Sequence, residues 1–194
     1  THATCRPAAL ARFKAGLGKD GVPEGLDGMI GTPSIMASII GRTMPSMNGM
    51  PLGPDKAITD GAFNQPYDIA DFRMSGVDTP LGVPVGFWRS VGNSHNGFFM
   101  ESFMDEAAFA AKLDPVAMRL KLMQPWPAAV KVVEKVAEMS GWGKSEPGKA
   151  KGFAFTLAFG GWVAQVIEIA DTPQGIKLEK IWAAADAGLS LDPD

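Results

Sequence analysis

The spacing of apolar residues changes period several times along the 194-residue chain. Residues 8–17, with ALARFKAGL within them, and residues 26–40, LDGMIGTPSIMASII, are apolar stretches separated by GKDGVPEG. A Lys-Asp-Gly turn followed by Pro23 suits a hairpin connection, so the pattern predicts two antiparallel strands. Residues 41–66, rich in Gly, Pro, Met and Asn, carry neither period and predict an irregular excursion. From Asn96 the period becomes helical, with Phe98, Phe99, Phe103, Met104 and Ala107 recurring and Glu101, Asp105 and Glu106 falling mainly between them. Those acids sit where a helix dipole favours them. A second helix starts at Asp114-Pro115, a good N-cap followed by a residue suited to the first helical position. A third runs over 127–140, with Val132, Val133, Val136 and Ala137 on one stripe and Gly141 as its stop.

Beyond it, 152–159, 161–170 and 176–185 form three apolar-rich runs joined by Gly-Gly and by DTPQG, which predicts a β meander. Alternation at Val166 and Glu168 and at Lys177 and Glu179 predicts one solvated face on its last hairpin. The predicted class is α+β, with antiparallel strands flanking a helical middle. Two portions are expected: 1–147, and a meander, 148–194, leading into a further portion.

Composition narrows the function. Hydrophobic residues are 46% and charged residues 20%, as in ordinary globular proteins. A net charge of -3, with no Lys/Arg cluster, provides no footprint for nucleic acid. One cysteine, Cys5, cannot make an internal disulfide or hold a thiolate-ligated metal, and His2 and His95 have no metal-ligand spacing. No apolar run approaches the ~20 residues of a membrane span. The string GLGKDG at 16–21 fits G-x-G-x-x-G, but Pro23 and Gly25 stand where a phosphate-binding helix should begin.

Arg89 is the residue most in need of a role, since it lies among Gly86, Phe87, Trp88 and Gly92 just before the first long helix. It either pairs with a carboxylate or stacks on Trp88, or clamps an anion that flanking glycines let the backbone approach. Ser94 or Asn96 is expected to cap the helix, with His95 facing solvent. Glu101 and Glu106 fit surface or supporting positions on an amphipathic helix, and Asp186 fits an Asx turn.

PVGFWRSVGNSHNGFFMESFMDEAAFAAKLDPVAMRLKLM resembles the molybdenum-cofactor subunit of the xanthine dehydrogenase family, the molybdenum hydroxylases. There an aromatic-Arg-Gly loop precedes a helix with a Glu and an acidic pair, then a "DP…R" helix. The corresponding residues here are Trp88-Arg89-Ser90, Glu101, Asp105-Glu106, and Asp114-Pro115 with Arg119. GVPVGFWRSVGNSHN is most similar to the branch of isoquinoline 1-oxidoreductase beta subunits, which includes bacterial aldehyde-oxidising members. RPAALARFKAGL, PYDIADFR, SGWG and VAQVIEI…AADAGLSLDPD extend the resemblance over essentially the whole chain.

The resemblance implies a molybdopterin cofactor bordered by Trp88, Arg89 and Ser90, with Gly86, Phe87 and Val91 shaping the substrate pocket. Val91 stands where xanthine-type members have a stacking phenylalanine, which argues against a purine. The implied reaction hydroxylates an aldehyde or N-heteroaromatic compound with oxygen from water, and iron–sulfur clusters on a partner subunit or domain take the electrons. The family's Gly-Gln-Gly and Gly-Gly-x-Phe-Gly loops, and the Gly-x-Gly-Glu loop that carries the base, have no counterpart here. The chain is therefore expected to be an internal fragment, inactive alone and completed by the rest of its subunit. The competing expectation is a stand-alone interaction domain using the Met-rich 29–50 stretch.

Overall fold

A computed structural model describes residues 4–47, 50, 53–144 and 146–189. The chain divides into two compact units, the first mainly residues 4–64 and 69–103, the second mainly 104–189 with residues 19–22 and 65–68.

In the first unit, β1 (Leu10–Leu17) and β2 (Pro23–Thr32) form the expected antiparallel hairpin. β3 (Asp71–Asp78), where the apolar pattern assigns no element, joins β2 in parallel, giving the order β1-β2-β3. Its sequence, DFRMSGVD, is too charged and too poor in β-branched residues to announce a strand. The predicted 26–40 strand stops at Thr32. Pro33 cannot donate to a ladder, and Ser34 caps a helix, α1 (Ile35–Thr43), by accepting from the Ala37 N–H. Leu26 and Ile30 face the core, where Ile30 packs with Ile58 and Ala62 beneath Ala11, Phe13 and Met74. The ring of Phe13 meets Phe103 edge-on at 5.4 Å.

The long helix α2 (Asn93–Ala111) starts three residues earlier than expected and passes from the first unit to the second at residues 103–104. Its buried stripe is Asn96, Met100, Met104, Ala107 and Ala108, while Phe98 and Phe109 are exposed. The phenylalanines drew the predicted stripe one residue off register. Spacing alone cannot distinguish a flexible Met that fills a core from a Phe left outside it.

In the second unit, Asp114 caps α3 (Pro115–Leu122) by accepting from the N–H groups of Val116 and Ala117. α4 (Pro127–Ser140) buries Ala129, Val132, Val133 and Val136 and ends at Gly141, left-handed with φ 59°. β4 (Lys149–Ala158), β5 (Gly161–Thr172) and β6 (Gly175–Asp186) form the antiparallel meander, in the order β4-β5-β6. Phe153, Phe155, Ala164 and Val166 are buried on the face that α4 packs against. Glu168 shares this face and is also buried, with Lys149 and Lys151 at 3.7 and 3.8 Å. The expected solvated alternation at Val166 and Glu168 is thus reversed: the charge points inward because two lysines receive it. The final residues, 190–194, on which the expected passage into a further portion falls, lie outside the described residues.

Candidate functional site

The loop between β3 and α2 is pinned before it reaches Arg89. Val85 donates from its N–H to the Ser38 hydroxyl, and its carbonyl accepts from Ser38 Oγ at 2.9 Å and Arg42 Nη1 at 3.2 Å. On its other side, Cys5 N–H donates to the Pro84 carbonyl and Gly86 N–H to the Cys5 carbonyl. Two glycines let the loop sit there. A Cβ at Gly86 would strike the Thr4 side chain, and one at Gly92 would strike the carbonyl oxygens of Ala57 and Asp60, which are backbone and cannot yield.

Between these anchors the six residues singled out by sequence run consecutively into a turn at residues 89–92. Gly86 is buried, and Phe87 and Trp88 are more than half exposed despite their size. The cation over the Trp88 ring is Arg6, at 5.9 Å, and not Arg89. Arg89 is exposed and makes no ion pair or hydrogen bond with the described residues, so neither stacking on Trp88 nor carboxylate pairing accounts for it. Ser90 and Val91 both have positive φ, 73° and 48°. A β-branched residue in that region is strained, and each such residue costs on the order of 1–3 kcal/mol. A glycine would hold the Ser90 conformation freely, which gives a physical reason for the glycine of the aromatic-Arg-Gly pattern.

The start of α2 also departs from expectation. Neither Ser94 nor Asn96 caps it: Ser94 Oγ donates back to the Val91 carbonyl, and Asn96 Nδ2 donates to the carbonyls of Ile58 and Asp60. Asn96 is fully buried, because it stitches the helix to the preceding loop. His95 is half-buried and does not face solvent. Its ring lies 6.1 Å from that of Phe99, and burial, assisted by the Arg6 charge, holds its pKa below the ordinary imidazole value. Asn93 Oδ1, both His95 ring nitrogens and Asn96 Oδ1 are buried with no partner among the described residues. Each such atom costs roughly 1–3 kcal/mol.

An anionic, partly flat group fits this loop. It offers a guanidinium uncommitted among the described residues, two exposed aromatic rings, and N–H groups at Trp88, Arg89 and Ser90 with no acceptor among those residues. It does not offer a metal centre: among the described residues no three His, Cys, Asp or Glu side chains cluster, and no helix is long and apolar enough to cross a membrane.

The other sequence candidates fall into structural roles. Asp105 pairs with Arg119 at 2.7 Å, which joins the acidic pair of α2 to the arginine of the "DP…R" helix. Arg119 is fully buried, over the Phe153 ring at 5.3 Å. Asp114 Oδ2 accepts from Trp142 Nε1 at 2.9 Å, so the SGWG helix end is fastened to the α3 cap. Glu101 is buried, contrary to a surface position, whereas Glu106 is exposed. Asp186 accepts from the Gly188 N–H, as an Asx turn requires. Arg6, which sequence reasoning missed, carried no local signal because its partner Trp88 lies far along the chain.

No family model matches the chain. It is 31% identical over 134 residues, 66% of its length, to the isoquinoline 1-oxidoreductase beta chain of Brevundimonas diminuta. It is 28% identical over 214 aligned positions, 96% of its length, to a nicotinate dehydrogenase subunit of Pseudomonas putida. The chain spans only 17% of the length of each curated relative. An aldehyde oxidoreductase from Desulfovibrio gigas shares the fold, with a TM-score of 0.56 and 17% identity over 89% of this chain and 21% of that one. These likenesses support the resemblance to the molybdenum hydroxylases, the xanthine dehydrogenase family, that the sequence motifs carry.

Proposed function

We propose that the chain is part of the catalytic subunit of a molybdopterin-dependent hydroxylase and that residues 86–91 are one wall of its cofactor and substrate pocket. The observation that carries this reading is Arg89, exposed and without a partner among the described residues, on a loop strained at Ser90 and Val91 yet pinned at both ends. Strain at a pinned loop persists only where the surroundings over-determine it, and such places concentrate at ligand sites.

Arg89 would neutralise an anionic group of the cofactor, while the N–H groups of Trp88, Arg89 and Ser90 donate to it. Trp88, steadied by Arg6, and Phe87 would exclude water and present flat apolar surfaces to an aldehyde or N-heteroaromatic substrate. Val91 leaves an aliphatic wall, and Gly86 lets the loop lie close to residue 4. When bound, molybdopterin supplies oxidation of an electron-poor carbon with oxygen drawn from water. The base is assigned to a glutamate elsewhere in the polypeptide, so this fragment alone is inactive. Electrons leave to iron–sulfur clusters on a partner subunit. The 1–147 portion belongs to the cofactor-binding region, and 148–194 leads into the next.

In the complete polypeptide, Arg89→Ala should lower molybdopterin retained through purification several-fold while leaving the melting temperature within about 2 °C, since it removes none of the described contacts. Undiminished retention would remove Arg89 from the site. A second reading, an interaction domain, draws on the exposure of Met29, Met36, Met44 and Met50. A native gene product of 20.5 kDa would favour it.

A further inference from the structure

The β4-β5-β6 sheet has a second face, turned away from α4. Residues two apart on a strand share a face. From the pairing register this face comprises Ala150, Gly152, Ala154 and Thr156 on β4 and Val163, Gln165, Ile167, Ile169 and Asp171 on β5. The β6 residues opposite them are Ala185, Ala183, Ile181, Leu178 and Ile176, the register shifting by one at the bulge between Glu168 and Ile169. Gln165, Thr156 and Asp171 are its polar members. Ile176, Leu178 and Ile181 are each more than half exposed.

The other sheet of the same chain shows what a solvated face looks like here. Its corresponding side pairs Arg12 with Met29, Lys14 with Asp27, and Asp27 with Arg73 across the strands. Arg73 and Asp27 form a bidentate ion pair at 2.7 Å. That side also shows Leu10, Met29 and Val77, but paired charges cross it, whereas Asp171 is the one charged residue named on the meander's face.

We infer that this face of β4–β6 is an internal interface of the whole subunit, covered by an apolar layer from the part of the polypeptide outside this chain. The inference rests on the reading that the chain is a fragment of a larger polypeptide. Size argues for that occupant over a second copy. Three strands at about 4.8 Å spacing and about nine residues at about 3.3 Å rise give roughly 430 Å². That is only about half of the ~800 Å² per partner that stable association uses. A covalently connected layer needs no such area, because it carries no cost for bringing two molecules together. The alanines and Gly152 on the two outer strands leave a shallow floor into which bulky side chains of a covering layer can reach.

The test uses the complete polypeptide with Cys5→Ser and one new cysteine, Ala183→Cys on the meander or Lys14→Cys on the first sheet. Peptide mapping would give the alkylation rate at each position. Protection at position 183 of about 100-fold relative to position 14, lost on denaturation, is the expected result. Equal rates in a molybdenum-loaded protein would overturn the inference and leave the family reading intact. Protection that disappears on dilution, with a doubled native mass, would assign the face to a second copy and also overturn it. A native product of 20.5 kDa without molybdenum would overturn the underlying reading and the inference with it. Should Ala183→Cys fold poorly, Gln165→Cys on the same face supplies the same comparison.

Discussion

The two sheets each have three strands but treat their second faces differently. β1-β2-β3 buries Leu26 and Ile30 on one side and sets Arg12, Lys14, Asp27 and Arg73 on the other. β4-β5-β6 buries Phe153, Phe155 and Val166 on one side and shows Ile167, Ile169, Leu178 and Ile181 on the other. The meander even reverses the usual arrangement, since its buried acid, Glu168, faces α4 while its aliphatics face outward. Apolar residues outside and a lysine-held glutamate inside mark a sheet suited to having both faces covered.

The largest expected effect comes from placing a charge on each second face. In the complete polypeptide, Ile181→Asp should abolish the folded, soluble yield, because a carboxylate would be trapped beneath the covering layer. Met29→Asp, on the first sheet, should leave yield and melting temperature unchanged. Similar tolerance at both positions would erase the distinction between the sheets.

Next are the two arginine–aspartate pairs. Arg119 is fully buried against a half-exposed Asp105, so Arg119→Ala should cost about 2–3 kcal/mol in denaturant unfolding, less than for a fully buried pair. The exposed Arg73–Asp27 pair should show its contribution only in a pH profile. Arg73 holds the Asp27 carboxyl below its ordinary value, first through its hydrogen bond and then through its charge. Whatever stability this adds is present above the ordinary carboxylate range and is lost as pH falls through it toward the lower folded value. Arg73→Met should flatten that part of the profile and change little at pH 7.

Smaller still, Asp114→Ala should cost about 1 kcal/mol through the α3 cap. Ser90→Gly should stabilise by roughly 1 kcal/mol by relieving the left-handed backbone. The effect of Ser90→Gly bears on the loop and should be the same whether or not the meander is covered. His95 gives a further profile: its lowered pKa means the unfolded chain takes up the proton first. Stability should therefore fall as pH drops below the ordinary imidazole value, and His95→Phe should remove that slope.

Legibility in the sequence followed how local each signal is. Asp114-Pro115, Gly141 and the strand-turn rhythm after residue 148 state their elements within a few residues, and the structure has them where expected. β3 was hidden because its pairing partner is 46 residues away and its own sequence is polar. The end of β2 was announced by Thr-Pro-Ser, an N-cap signal outweighed by the apolar run around it. The site was half legible. Arg89 stood out by its neighbours, whereas Arg6, the buried Asn96 and the left-handed Ser90 and Val91 depend on residues brought together only by folding.

The most direct test of the central claim is metal and pterin analysis of the complete purified polypeptide. Membership of a molybdenum hydroxylase subunit predicts close to one molybdenum and one molybdopterin per polypeptide. A correctly folded, full-length protein purified from cells competent to make the cofactor, yet containing neither, would contradict it.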